Sequence, residues 1–258
     1  MSIVATGRMG SIGKGLPADV IGLKSRLEWS VAVMVEELRA ISATPTAFIH
    51  LAALSDVKEC EANPEKAIEM NADGAVRWLR AAAEVGCKRF VHVSTSHVFK
   101  ATSKPEILEP TRTPDATSAY GVSKVRAEDQ LEKWAKELDV ELVITRVFSV
   151  VGRGMRPGYL YADLERRVRE RDFSPLPGYK NVRDFVDVET ICARLITLAE
   201  KPSPCQGVFH ICSGNPMTVR ELAQKVLREN GVALEEAQTM FPENRDEPNY
   251  MISKPSEI

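Results

Sequence analysis

Ser2-Ile3-Val4-Ala5-Thr6-Gly7-Arg8-Met9-Gly10-Ser11-Ile12-Gly13 opens the chain with a short apolar run followed by three glycines spaced three residues apart. The run has the length of a buried strand. Glycines at this spacing directly after a strand have separate tasks: Gly7 permits a tight turn, Gly10 lets backbone approach a pyrophosphate, and Gly13 lets the next element pack closely on the strand. A phosphate loop of the Gly-Lys-Ser/Thr kind does not fit, because Gly13-Lys14 is followed by Gly15 and Arg8 stands where its first glycine belongs.

Beyond this stretch, apolar runs at about 2–6, 19–23, 47–53, 89–95 and 141–148 alternate with helical patterns at about 30–41, 64–85, 118–137 and 187–200. Such alternation predicts an α/β fold: a Rossmann-like, doubly wound parallel sheet with helices on both faces. In the 118–137 helix, Ala127, Leu131, Trp134 and Leu138 form the packed stripe. Between Gly13 and the second strand stand only Lys14-Gly15-Leu16-Pro17-Ala18, so the first crossover is abbreviated. The glycine-rich Gly152-Arg153-Gly154-Met155-Arg156-Pro157-Gly158 breaks the pattern. Residues 1–152 are therefore read as a dinucleotide-binding domain and 153–258 as mostly a small C-terminal substrate lobe, with 183–200 returning to the Rossmann core.

Tyr120 and Lys124 lie one helical turn apart near the start of the 118–137 helix, and Ser94-Thr95-Ser96 ends an apolar strand 25 residues before the tyrosine. A phenol titrates near pH 10, and a neighbouring cation would favour its phenolate. Lys124 is expected to supply that cation, and Thr95 to hold a substrate oxygen against Tyr120 while hydride moves to or from a nicotinamide. His50 and His92, within apolar strands, read as core histidines.

The chain resembles the extended short-chain dehydrogenase/reductase family, in its nucleotide-sugar epimerase/dehydratase/reductase branch. The resemblance rests on Thr6-Gly7-Arg8-Met9-Gly10-Ser11-Ile12-Gly13, His50-Leu51-Ala52-Ala53, Asn71, Arg89 to Phe99, Tyr120-Gly121-Val122-Ser123-Lys124 and Arg183-Asp184-Phe185-Val186-Asp187-Val188, which occur in the family's order. It implies catalysis by Thr95, Tyr120 and Lys124. It also implies cofactor contacts from Gly7, Arg8, Gly10, Ser11, Ile12, Gly13, Leu51, Ala52, Ala53, Asn71, Tyr120 and Lys124. Ser96, His97, Arg183 and Arg245 are expected at the substrate, with Arg183 on its diphosphate. Relatives commonly continue past the position of Ile258, so part of the lobe is expected to be missing or supplied by a neighbour.

Family dehydratases carry Asp-Glu after the catalytic threonine, whereas this chain has Ser96-His97, which disfavours dehydration. A 4-keto-sugar reductase is the first expectation, a nucleotide-sugar 4-epimerase the second, and a dinucleotide-binding regulatory or subunit module the reading from another class. Lys24, Ser25 and Arg26 follow the second strand, and with Arg8 they favour NADP over NAD. The 258 residues are 44% hydrophobic and can bury one sizeable core plus a lobe. A net charge of −2 gives no electrostatic case for nucleic acid or an anionic membrane. No leader or spanning run is evident, and five cysteines without Cys-x-x-Cys pairing point to a reduced, cytoplasmic setting without a metal. The expected partner is a nucleotide sugar, with a homodimer left open. Arg166, Arg167, Arg169 and Arg171, interleaved with Glu165 and Glu170, read as a solvated helix face.

Overall fold

In the computed structural model, which describes residues 2–24, 26–41, 44–243 and 246–258, the opening apolar run is β1 (Ile3–Thr6), buried along its length. The first crossover is a single 3-10 turn, Gly13–Gly15, leading to β2 (Ile21–Gly22), parallel to β1. Arg8 ties this short connection together: its guanidinium donates to the carbonyls of Gly13, of Pro17 at 2.7 Å and of Val20 at 3.4 Å.

Helix α1 (Val31–Arg39), capped by the Ser30 hydroxyl, leads to β3 (Ala47–His50). Then come α2 (Val57–Ala62), α3 (Pro64–Ile68), a π turn over Glu69–Asp73, α4 (Gly74–Glu84) and β4 (Arg89–Thr95). After β5 (Ile107–Leu108), helix α5 (Ala119–Glu137) starts at Ser118, whose hydroxyl accepts from Gly121 N at 3.1 Å. Strands β6 (Glu141–Val147) and β7 (Ser149–Val151) follow, then α6 (Leu160–Glu170), β8 (Val182–Arg183), β9 (Phe185–Asp187) and α7 (Val188–Glu200). The chain ends through β10 (Gly207–Ile211), β11 (Met217–Thr218), α8 (Val219–Glu229) and β12 (Tyr250–Ser253).

The main sheet runs β10-β6-β4-β3-β1-β2, all parallel. One face packs Phe48 and Phe90 against α1 and α4, whose Trp78 meets Phe48, and the other packs Ile49, Val91 and Val143 against α7. Both faces are covered, as a parallel sheet requires. Helix α7 also covers the ground that a longer first crossover would occupy: a Cβ on Gly15 would meet Val188 Cγ1 at 2.7 Å and Cys192 Sγ at 3.0 Å. The expectation that only 183–200 of the C-terminal half returns to the Rossmann core is corrected by β10. This strand pairs with β6 from Gly207↔Val143 to Ile211↔Val147 and closes the main sheet.

The lobe has its own sheet, β11-β8-β12-β5, and a core including Leu164, Leu222, Val226 and Met240 on α6, α8 and the turn after them. The pair β7–β9 joins lobe to domain.

Candidate active site

The chain leaves β1 for β2 on one side and returns to β3 on the other, so the loops after β1 and β3 diverge. Such a switch point opens a crevice at the carboxyl ends of the strands. Here it holds a cleft of about 1090 Å³ lined by Gly7, Gly10, Ser11, Ile12 and Gly13 on one bank and by Leu51, Ala52 and Ala53 on the other. The volume stands at the upper end of the roughly 300–1,000 Å³ of a small-ligand site, enough for a large ligand such as a dinucleotide.

The glycine loop has the shape that its spacing predicts. Gly7 has φ +68°, and a Cβ on it would lie 2.8 Å from Ala52 N; a Cβ on Gly13 would lie 2.2 Å from Gly7 O. Gly10 differs, since its Cβ would meet only Gly7 O, at 3.1 Å. The Gly10 position is therefore where a ligand can approach bare backbone. Thr6 Oγ1 accepts from Ala52 N at 3.2 Å and lies 2.9 Å from His50 Nδ1, holding the two banks in register.

Thr95, Ser96, His97 and Tyr120 line the same cleft. Their approach depends on Gly121, where a Cβ would fall 2.2 Å from His97 O. Only glycine lets α5 begin against the loop after β4. The Thr95 hydroxyl, which lines the cleft with the Tyr120 phenol, accepts from His97 N at 3.2 Å. The His97 ring meets the Tyr120 ring edge-on at 5.7 Å. Burial, with a smaller contribution from Tyr159, raises the Tyr120 pKa; the Thr95 hydroxyl opposes this. The phenol is therefore held protonated.

Lys124 departs from expectation. Its side chain is buried, and Nζ turns to the strand behind Tyr120, donating to Val93 O at 2.8 Å and lying 3.0 Å from His92 Nε2. Burial lowers its pKa to about 7, against a smaller opposing contribution from Glu128. The ammonium does not depress the phenol as the sequence reading assumed, because burial disfavours charge on both groups. His50 and His92 stack at 5.6 Å in the core, as read.

Asn71 lies outside the cleft lining and anchors it: its side-chain amide exchanges two hydrogen bonds with Leu54, at 2.7 and 2.9 Å, and donates to Ser123 Oγ at 2.9 Å. Arg8, expected at the cofactor, instead uses its guanidinium within the crossover. Lys24 is exposed outside the cleft lining, and its backbone N–H donates to Glu37 Oε1 at 2.5 Å. Arg26 does line the cleft, with Glu28 beside it at 4.0 Å. Carboxylates also attend this loop: Glu28 beside Arg26, and Glu37 of α1 accepting from Lys24 N.

Arg183 reaches the cleft from β8, its guanidinium held by Asn249 Oδ1 at 2.5 Å and by the carbonyls of Val182 and Asn249 at 2.8 and 3.0 Å. Arg245 lies outside the described residues. The sequence reading missed Tyr159 and Arg156, which also line the cleft. Their only signal was the Gly152–Gly158 break. Among the described residues no cluster of three His, Cys, Asp or Glu is placed to hold a metal, and no helix is long and apolar enough to cross a membrane.

A Rossmann crevice here joins a glycine cradle to Thr95 and Tyr120. The chain belongs to the NAD dependent epimerase/dehydratase family, which it matches over residues 19–212. It is 29% identical over 206 residues to the UDP-glucose 4-epimerase of Vibrio cholerae, covering 76% of this chain and 60% of that protein. It is 24% identical over 188 residues to the GDP-6-deoxy-D-mannose reductase of Pseudomonas aeruginosa, covering 70% and 62%. The chain thus spans about three-fifths of the length of these relatives. In fold it is similar to the UDP-glucose 4-epimerase of Thermus thermophilus in complex with NAD, with a TM-score of 0.81, 21% identity and coverage of 99% of this chain and 91% of that one.

Proposed function

We propose that the chain is a nicotinamide-dinucleotide-dependent oxidoreductase acting at a carbonyl or alcohol carbon of a nucleotide-activated sugar, with reduction of a 4-keto sugar by NADPH as the preferred reaction. The carrying observation is that the hydroxyls of Thr95 and Tyr120 line the same cleft as the glycine cradle. The dinucleotide, when bound, supplies the hydride. The chain's own groups do the rest: Thr95 orients the sugar oxygen by hydrogen bonding, and Tyr120 delivers a proton to that oxygen as the carbonyl is reduced. A phenol that burial keeps protonated suits proton donation. Arg183, which lines the cleft and is oriented by Asn249, would meet the diphosphate of the nucleotide. Ser96 and His97, which line the same cleft, would contact the sugar. The five cysteines are free and buried, which supports a reducing compartment such as the cytoplasm.

Glu28 favours a second reading. A carboxylate near the adenosine end suits a ribose 2′-hydroxyl, hence NAD, and tightly held NAD accompanies 4-epimerisation. Denaturing the purified protein and identifying the released dinucleotide by mass separates the readings. Retained NAD supports the epimerase; protein without dinucleotide that binds and oxidises NADPH in the presence of a 4-keto nucleotide sugar supports the reductase. Binding without turnover of any nucleotide sugar supports a dinucleotide-binding module and overturns the catalytic assignment.

A further inference from the structure

Between β7 and α6 the chain crosses the mouth of the cleft through Gly152–Gly158. Met155 is buried and anchors the segment, while Arg156 is exposed and lines the cleft. Gly154 at φ +72° and Gly158 at φ +98° flank it in conformations that favour glycine. Arg156 N donates to Ser11 Oγ at 3.3 Å, and Arg156 Nη2 donates to Ser55 Oγ at 3.0 Å. Ser11 belongs to the glycine loop and Ser55 to the loop after β3. A single residue therefore bridges the two banks of the crevice.

The charge around the crevice gives this bridge a purpose. In a full-length βαβ unit, the helix after the glycine loop points its N-terminal amides at the pyrophosphate. Here a three-residue 3-10 turn replaces that helix. Arg8 is committed to backbone carbonyls in the crossover. Of the lysines and arginines lining the cleft among the described residues, Arg26 stands beside Glu28 and Arg183 is bound to Asn249 in the lobe. Arg156 is the one that touches the glycine loop.

We propose that Gly152–Gly158 is a strap over the cleft and that Arg156 binds the diphosphate lying between the glycine loop and the Leu51–Ser55 loop, compensating for the missing crossover helix. The favoured source of that diphosphate is the dinucleotide, because Ser11 sits on its cradle; the inference rests on the dinucleotide reading above. Guanidinium can bridge two phosphate oxygens in one plane, which an uncharged amide cannot match.

The test compares wild type with Arg156→Gln, which keeps an N–H donor but removes the charge, and with Arg156→Lys. NADH, NADPH, ADP-ribose, AMP and UDP are titrated, the first two by fluorescence and the others by calorimetry, at two salt concentrations. Arg156→Gln is expected to weaken NADH, NADPH and ADP-ribose by about tenfold or more. It is also expected to flatten their salt dependence, to leave AMP and UDP unchanged, and to leave the unfolding temperature of the unliganded protein unchanged. Arg156→Lys is expected to recover part of the loss. Equal dinucleotide affinity in wild type and Arg156→Gln overturns the proposal, as does a loss confined to UDP, which would assign the strap to the substrate's diphosphate. A wild type that binds neither NADH nor NADPH overturns the dinucleotide reading itself, an outcome separate from failure of the strap.

Discussion

Lys124 Nζ lies 3.0 Å from His92 Nε2, and His92 stacks on His50, whose Nδ1 is 2.9 Å from Thr6 Oγ1. A column of polar groups thus runs through the core from the helix carrying Tyr120 to the residue that opens the glycine loop. Burial holds both histidines neutral, with His50 lowered to about 3 and His92 well below its ordinary value; Lys124 adds to both shifts. A neutral His92 with its proton on Nδ1 leaves Nε2 to accept from Lys124. The lysine is held by one ring nitrogen and one carbonyl.

That burial makes stability depend on pH. Lys124 titrates near 7 in the folded protein and near 10.5 unfolded, so between these values the unfolded chain binds the extra proton. Stability therefore rises with pH across this window, by at most about 1.4 kcal/mol per pH unit from this group. Cys87 and Cys192, raised by burial to about 11, oppose the trend above pH 9, which leaves pH 7 to 8.5 as the clean interval. Urea unfolding should show the wild type gaining stability over that interval and Lys124→Met gaining markedly less. Parallel slopes for the two proteins would show that the buried amine is not titrating there.

Tyr120→Phe removes the proton donor while keeping the ring against His97. Turnover should fall by about 10²-fold or more, the scale of general acid–base assistance, with dinucleotide affinity nearly unchanged. Single-turnover hydride transfer measured beside a binding titration checks both parts, and unchanged transfer would remove Tyr120 from the chemistry.

The glycines of the first loop should separate binding from folding. Gly10→Val places its side chain toward the cleft with only Gly7 O close by, at 3.1 Å from Cβ. It should abolish dinucleotide binding in a protein that still folds. In Gly13→Val the Cβ would sit 2.2 Å from Gly7 O and 2.8 Å from Arg8 Cα, so the loop itself must rearrange and thermal stability should fall. Circular dichroism melts with cofactor titration distinguish the two.

Beneath Thr95 lies a buried ion pair: Arg146 Nη2 donates to Glu128 Oε2 at 2.7 Å, and Ser94 Oγ donates to Glu128 Oε1 at 2.5 Å. Both charged side chains are about 5% exposed or less. Glu128→Gln would leave the Arg146 charge uncompensated and should cost about 3–5 kcal/mol in denaturant unfolding. Glu128→Leu combined with Arg146→Met should cost less than the two single changes summed, since no lone charge remains.

Much of this was legible because it is local. The glycine spacing fixes backbone shape within a few residues, and Tyr120 reaches Thr95 because a strand end and a helix start are each set by nearby sequence. What escaped the reading depends on contacts across the chain. Strand β10 looked like lobe because its partner, β6, lies some 60 residues earlier, and parallel pairing leaves no mark in either strand alone. Helix α8 was missed although Thr218 and Glu221 form a capping box, a readable start signal. The direction of Lys124 could not be read from its helix, since His92 on the facing strand sets it. Arg8 matched a cofactor motif, yet the shortened crossover brought backbone carbonyls to its guanidinium.

Cofactor choice turns on Arg26. Lys24 lies outside the cleft lining, so the expectation that Lys24 and Arg26 act together reduces to Arg26, which lines the cleft with Glu28 beside it. Their 4.0 Å contact is between exposed side chains, and such pairs are worth about 0–1 kcal/mol, too little to hold Arg26 from a 2′-phosphate. A charge-assisted contact is worth about 1.5–3 kcal/mol, or roughly ten- to a hundredfold in affinity. Arg26→Ala should weaken NADPH by about that factor and leave NADH nearly alone, whereas Lys24→Ala should change neither. Glu28→Gln should act in the opposite sense, weakening NADH through its lost 2′-hydroxyl contact while sparing NADPH. Fluorescence titration of the three variants against both dinucleotides decides the matter. Equal loss of both in Arg26→Ala would mean that the arginine supports the loop, and a wild type already tighter for NADH, with Glu28→Gln removing that preference, would move the assignment to NAD and the epimerase.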